Sequence, residues 1–156
     1  MFDLFFLPFA DDTGNHICLL IIDHFTKHKW GGVMTQKTMQ QVADILIKVF
    51  RTEGNCRRWH SDNGAEFINF VVEYARKQLG IEGYSHGRPR HPQCQGLVER
   101  ANGTCKRKIL MKSAEEGLRN GGENWNWSKH LEEVLMQEND APLKIYKGLT
   151  AFFCLQ

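Results

Sequence analysis

Residues 59–67, WHSDNGAEF, contain the feature from which the rest of the chain is interpreted. A run that changes from apolar to polar, residues 56–61, ends at Asp62, and the turn-forming residues Asn63 and Gly64 follow at once. A carboxylate in a tight turn at the end of a strand is typical of the edge at which α/β sheets present reactive groups. Taken alone, however, an Asp before Asn-Gly is more often a turn former than a ligand.

The composition is that of an ordinary globular chain. A length of 156 residues allows one domain with a substantial core. The net charge of +2 is too small to indicate a nucleic-acid partner, so any basic surface must be local. The cysteine count of 5 is odd and no CxxC pair occurs, which argues against a disulfide framework or a structural zinc site. The longest apolar run, residues 17–22, is too short to span a bilayer, and no signal peptide is expected.

The first third of the chain predicts an antiparallel meander followed by a helix. Strands are expected at residues 2–6, 16–22 and 29–34, and the second is apolar enough to be buried on both faces. The helix begins at Thr38, with Gln41 as its capping-box partner.

The remainder of the chain completes an α/β layer pattern with a mixed sheet and no second domain. The predicted elements are strands at 56–61 and 81–85, helices at 66–79, 96–118 and 125–139, and a polar loop at 87–95.

Three acids are placed where these elements bring them together. Asp3 lies in the first strand, Asp62 ends the strand after the first helix, and Glu99 lies in the first turn of the long helix. Three carboxylates on rigid elements suit a hard cation such as Mg²⁺. Each acid also has a plain interpretation: Glu99 as a partner of the helix dipole, Asp62 as a turn former, and Asp3 as a residue near a chain end.

Two motifs resemble the catalytic core of retroviral and retrotransposon integrases, most closely the Ty3/gypsy-like group and host genes derived from such elements. The family carries SDNG-x-x-F at its second acid and HPQ-x-x-G-x-x-E-x-x-N at its third. Both patterns occur here, in residues 59–67 and in 91–104 (HPQCQGLVERANGT), with 36 residues between Asp62 and Glu99. IIDHFTKHKW and GLTAFFCL are similar to two further segments of the family.

This resemblance implies an α/β, RNase H-like fold: a five-stranded mixed sheet flanked by helices. It implies that Asp3, Asp62 and Glu99 are a catalytic triad that holds Mg²⁺ or Mn²⁺, as two ions. The activity would be DNA 3′-end processing and strand transfer, that is, DNA integration by a transferase. The expected setting is intracellular and nuclear, with a homodimer acting on DNA, without membrane or small-molecule substrate. Residues 1–156 would form one integrase core, excised from a longer protein.

The resemblance also assigns secondary roles. Asp23 is the rival for the first acid, but the family places that acid one strand earlier, so Asp23 is interpreted as a hairpin residue that bonds its own turn. Loop 87–95 would close on DNA. The expected nucleic-acid contacts are Gln95, Asn102, Lys106, Arg88, Arg90 and Arg100.

Departures from the family pattern keep alternatives open. Gly103 stands where many relatives carry a basic or polar residue, and Ala151 replaces the usual Pro of the closing motif. The main alternative is a domesticated, catalytically silent domain that serves as a DNA- or protein-binding or dimerisation module. Hydrolysis of RNA in RNA–DNA hybrids is a third possibility on the same fold.

Overall fold

An antiparallel sheet in the order β1–β2–β3 lies at the centre of the chain. The computed structural model describes residues 1–54, 73–75, 77–79, 92–119, 126–143 and 147–151, with the backbone alone at 92–95. The strands are β1 (Phe2–Phe6), β2 (Ile17–Ile22) and β3 (Lys29–Met34). All three predicted strands are confirmed, with β2 beginning one residue later than expected.

Strand β2 is buried along its whole length, as its continuous apolar run predicts. Because strand side chains alternate between faces, β2 contributes to two separate cores. Ile17, Leu19 and Ile21 pack toward α1, whereas Cys18, Leu20 and Ile22 pack on the opposite face. The sheet is therefore the middle layer between two sets of helices.

The same alternation sets the faces of β1. Phe2 and Leu4 belong to the core on the α1 side, and Phe5 and Leu7 belong to the other core. Asp3 lies opposite Leu20 in the register with β2, and Ile22 N donates to Met1 O at 2.7 Å, so pairing continues to the chain end.

Helix α1 (Met39–Glu53) begins where the sequence predicts, with half of the expected capping box. Gln41 N donates to Thr38 Oγ1 at 3.3 Å, but the Gln41 side chain accepts from Gln36 N instead of Thr38 N. The reason is that Thr38 N already donates to Gln36 O at 2.8 Å. The reciprocal half of the capping-box prediction is therefore wrong.

Helix α2 (Pro92–Arg119) begins four residues earlier than the predicted start at residue 96. The predicted polar loop, residues 87–95, is therefore too long at its C-terminal end. Proline is favoured at the first helical position, because its missing N–H has no partner there in any case. As a result, residues 92–95 are helical, and Glu99 lies in the second turn instead of the first.

The last predicted helix, 125–139, is a 3₁₀ segment (Trp127–His130) that continues into α3 (Leu131–Asp140). Trp127 is fully buried, and its indole Nε1 donates to Asn15 O at 3.1 Å. Polar contacts join α2 to this segment: Lys108 to Glu138, Lys112 to Glu133, and Glu116 to both Lys129 and His130.

Part of the predicted fold lies outside the described residues. The expected strands at 56–61 and 81–85 fall there, so the five-stranded mixed sheet stays a prediction, while the described sheet has three antiparallel strands. Within the predicted helix 66–79, residues 73–75 and 77–79 are helical, and Ala75 is buried against the α1-side core. No helix in the described ranges is long and apolar enough to cross a membrane.

Candidate functional site

A hydrogen bond joins the first predicted acid to the helix that carries the third. Asn102 Nδ2 on α2 donates to Asp3 Oδ2 on β1 at 2.7 Å, between residues 99 positions apart in sequence. Because Asp3 follows the alternation that directs Phe5 and Leu7 toward α2, its carboxylate faces this helix. The contact therefore follows from the strand pattern.

Asn102 lies at the border between the buried and the exposed side of α2. Its side chain is 8% exposed, and its neighbours Val98, Ala101 and Cys105 are buried in the adjoining core. Its Oδ1 atom is buried and has no hydrogen-bond partner among the described residues. A buried acceptor without a donor is costly, so this atom marks a position suited to a cation, a water or another donor.

Glu99 is exposed and lies three residues before Asn102 on α2. Residues three apart on a helix share a face, so Glu99 is on the side of α2 that approaches Asp3. The structure thus brings β1 and this part of α2 together. Asp62, the third member of the predicted triad, lies outside the described residues, and the triad as a set stays a prediction.

The donor set fits a hard divalent cation. Carboxylate and amide oxygens are the ligands that Mg²⁺ and Mn²⁺ prefer, and Asp3, Glu99 and Asn102 Oδ1 are of this kind. In the part of the chain that the structure describes, no three His, Cys, Asp or Glu side chains are grouped closely enough to hold a metal. A cation site here would need a further ligand, and Asp62, the one that the sequence predicts, lies outside the described residues.

Asp23 has the hairpin role that was expected for it. Its Oδ2 accepts from Thr26 N and from Thr26 Oγ1, each at 2.7 Å. Burial alone would raise the pKa of Asp23, but the hydrogen bonds from Thr26 and Phe25 outweigh it and hold the pKa below its ordinary value. The Asp23 carboxylate therefore stabilises the β2–β3 turn.

Comparison with known proteins relates the chain to viral polyproteins. It is 30% identical over 141 residues to the Pol polyprotein of Feline endogenous virus ECE1, covering 90% of this chain and 13% of that protein. It is 48% identical over 103 residues to the Pol polyprotein of Equine infectious anemia virus (strain Wyoming), covering 64% of this chain and 9% of that protein. No family model matches the chain.

The chain is a homologue of retroviral Pol polyproteins. It spans only a small part of their length, 13% and 9% in these two cases. The family resemblance in the sequence is therefore confirmed at the level of retroviral Pol. The narrower assignment to the Ty3/gypsy-like group stays a prediction.

Solved structures show that this Pol homologue has the fold of an integrase catalytic core, which is RNase H-like. The catalytic core domain of BIV integrase matches with a TM-score of 0.69 at 23% identity, over 99% of this chain and 90% of that chain. A chain of the simian T-cell lymphotropic virus intasome, in complex with PP2A regulatory subunit B56 gamma, matches with a TM-score of 0.76 at 18% identity. That match covers 99% of this chain and 52% of the other.

The predicted nucleic-acid residues of the Pol homologue lie partly on α2. Arg100 is exposed, and Lys106 is half-buried. Lys108, on the same helix, binds Glu138 at 2.6 Å and joins α2 to α3. Arg88 and Arg90 lie outside the described residues, as does the Gln95 side chain.

Sequence reasoning missed a second buried amide, at Asn139. Lys29 N donates to Asn139 Oδ1 at 2.8 Å, and Asn139 Nδ2 donates to Lys29 O at 2.9 Å. The Asn139 side-chain amide thus bonds both the backbone N–H and the backbone carbonyl of Lys29, as the backbone of a neighbouring strand would. Asn139 Nδ2 also lies 3.1 Å from His28 Nε2, and burial is the largest factor that lowers the pKa of His28. The partners of Asn139 lie 110 and 111 residues away in the sequence, so no local sequence signal indicates them.

Replacing Asp23 with Asn should destabilise the turn in a pH-dependent manner. The carboxylate bonds stabilise the fold fully above the unfolded pKa of about 3.9, and the effect is lost as pH falls through the lowered folded-state pKa. We expect Asp23→Asn to reduce the free energy of unfolding by about 1.5–3 kcal/mol at pH 7 and by much less at pH 3. Urea unfolding at both pH values measures this. The exposed Asp12→Asn is the control, and an equal loss at both pH values would contradict the role.

Proposed function

We propose that the chain is a metal-dependent polynucleotidyl transferase, which processes DNA 3′ ends and transfers them to a target strand. The observation that carries the proposal is the Asn102–Asp3 hydrogen bond, since it holds the first acid against the helix that bears Glu99. Homology to retroviral Pol and the integrase-core fold support the same reaction class.

In this proposal Asp3, Asp62 and Glu99 hold Mg²⁺ or Mn²⁺. Two such ions, when bound, activate the attacking oxygen and stabilise the leaving oxygen of a phosphoryl transfer. The chain itself supplies the orientation: Asp3 is fixed on a paired strand and Glu99 on a long helix, and rigid elements position ligands better than loops do. The reaction requires no covalent intermediate on the protein.

Basic and amide groups near the acids would bind the DNA backbone. Arg100 and Lys106 flank Asn102 on α2, and phosphate contacts of this kind fix the position of a duplex without reading its sequence. Arg88, Arg90 and Gln95 complete the proposed surface. We place this function in the nucleus, where the DNA target is, and in one catalytic core formed by residues 1–156.

A groove along β3 supports the proposal that the core forms a homodimer. This cavity of about 1040 Å³ lies between β3, α1 and α3, and its lining includes Trp30, Ile45 and Met136. Met136 lines this groove and is 61% exposed, so a second copy seated there would cover its side chain. The same surface also favours the alternative function, a catalytically silent module used for dimerisation or protein binding.

Substitution of the acids tests catalysis and shows whether Asp3 or Asp23 is the first acid of the proposed triad. Mn²⁺-dependent nicking of a DNA substrate should fall to the metal-free background in Asp3→Asn and Asp62→Asn, because each removes a ligand charge. Asp23→Asn should retain the activity, since Asp23 serves the turn. Nicking that survives in Asp62→Asn would contradict the mechanism. A folded protein that binds no Mn²⁺ at millimolar concentration would favour the silent module.

Removal of basic charge on α2 tests the DNA surface. Arg100→Gln and Lys106→Gln should each weaken duplex binding, because each removes one phosphate contact. Each should also reduce, by about 1, the steepness with which the logarithm of the binding constant falls with the logarithm of the salt concentration. Fluorescence anisotropy across a salt series measures both quantities. Lys112→Gln is the matched control, because Lys112 binds Glu133 at the α2–α3 contact. A slope that changes equally in the control would contradict the assignment.

A charge in the groove tests the homodimer. Met136→Glu should convert a dimer to a monomer without a large loss of stability, because an exposed position tolerates a charge but an apolar interface does not. Sedimentation equilibrium gives the mass. Met111→Glu is the control, since Met111 is 57% exposed on α2 and absent from the groove lining. A protein that sediments as a monomer before substitution would overturn the proposal.

A further inference from the structure

We propose that His28 and Asn139 form a proton-sensitive lock, in which a neutral imidazole and a buried amide hold the C-terminal end of α3 against the start of β3. Protonation of His28 at Nε2 opens this lock. The inference does not rest on the proposed function, because neither residue belongs to the proposed metal site or to the proposed DNA surface.

The orientation of the Asn139 amide is fixed by the backbone of Lys29. Lys29 N can only donate and Lys29 O can only accept, so Asn139 presents Oδ1 to the first, at 2.8 Å, and Nδ2 to the second, at 2.9 Å. Rotation of the amide by half a turn would place donor against donor and acceptor against acceptor. Asn139 is 7% exposed, so loss of both bonds would leave buried polar groups unsatisfied.

This fixed orientation determines the protonation state of His28. Asn139 Nδ2 carries two hydrogens: one is bonded to Lys29 O, and the other is left for His28 Nε2, which lies at 3.1 Å. Nε2 must therefore be an acceptor, which is true only of a neutral imidazole with its proton on Nδ1. A proton on Nε2 would set two N–H groups against each other, and the amide could not turn to accept it without losing both bonds to Lys29.

Burial of the imidazole acts in the same direction. His28 is 8% exposed, and its ring lies against Trp30, with the ring centroids 4.5 Å apart. Burial is the largest influence on the pKa of His28 and lowers it, whereas the backbone of Ala151 and the carboxylate of Glu53 act in the opposite direction. Stability that depends on the neutral ring is therefore complete above the unfolded pKa of about 6.5, and it is lost as pH falls toward the lowered folded-state pKa.

The other described charges near the lock are exposed or already have partners. In the turn and in β3, Asp23 favours and Lys29 disfavours a charged imidazole, and the Asp23 carboxylate is bonded to Thr26. On α3, Glu138 is paired with Lys29 at 3.6 Å, and Asp140 is exposed. Opening of the lock is therefore the expected response to protonation.

The lock lies in the groove along β3. His28, Lys29 and Asn139 all line this cavity, which α3 bounds on one side. Release of Asn139 would remove the α3 partner of both backbone groups of Lys29, so that this end of the strand becomes available to another donor and acceptor. The lock thus makes the surface of the groove depend on pH.

Nuclear magnetic resonance of the whole chain tests the coupling. The imidazole shift of His28 reports its protonation, and the hydrogen-exchange protection factor of the Lys29 amide reports the lock, since Lys29 N donates to Asn139. From about pH 8 to about pH 4, protection at Lys29 should fall about 10-fold with the midpoint of His28, while the Leu19 amide in β2 stays protected. Protection that persists after His28 becomes charged, or an imidazole still neutral at about pH 4, overturns the inference.

A matched pair of variants assigns the pH dependence to one ring. His28→Gln retains an acceptor of similar reach and has no proton to gain in this range, so protection at Lys29 should no longer depend on pH. His24→Gln makes the same change at an exposed residue of the same turn and should keep the pH dependence of the unsubstituted protein. A pH dependence that survives in His28→Gln, or disappears in His24→Gln, contradicts the lock.

Asn139→Asp gives a test of opposite sign and covers the case in which His28→Gln does not fold. A carboxylate at this position can still accept from Lys29 N, but it also accepts from a protonated His28. The midpoint of His28 should therefore rise by about 1 pH unit relative to the unsubstituted protein. A midpoint that stays where it was, or falls, overturns the inference.

Discussion

The burial of β2 on both faces is the constraint on which the remaining structure depends. Six consecutive buried residues, Ile17–Ile22, require apolar partners above and below the sheet. One face is covered by α1 and the other by α2 and α3. Since β1 pairs with β2 in a fixed register, a one-residue slip would turn Asp3 away from α2. The position of the first acid is thus a consequence of how the core is built.

The arrangement explains how a site can be assembled from distant parts of the chain. Asp3 and Asn102 are 99 residues apart, yet their contact needs only the strand alternation and the packing of α2 on the same face. The helix is held in turn by its contacts with α3, including Lys108–Glu138 and Lys112–Glu133. Exposed ion pairs of this kind contribute little stability individually, so the buried residues between the helices carry most of the packing energy.

The strands could be predicted from sequence because their signal is local: a continuous apolar run indicates a strand buried on both faces. The hairpin role of Asp23 was predicted from the family resemblance, which places the first acid one strand earlier. The start of α2 could have been found from Pro92, but the polar composition of residues 87–95 favoured a loop.

The contacts of Trp127, Asn102 and Asn139 could not be predicted, because their partners are about a hundred residues away. Asn102 and Glu99 lie three residues apart and so share a face of α2, but no helical periodicity identifies a partner on another element. Family motifs supplied a prediction that local patterns alone could not establish, namely that Asp3, Asp62 and Glu99 belong to one site.

The central claim is that Asp3 and Asp62 share a divalent cation next to α2. A crystal structure of the protein soaked in Mn²⁺, with anomalous scattering to locate the ion, tests it most directly. The account predicts an anomalous peak bridged by the carboxylates of Asp3 and Asp62, with Asn102 still bonded to Asp3 and Glu99 on the same side. An ordered site in which the two aspartates remain apart and no ion lies between them would contradict it.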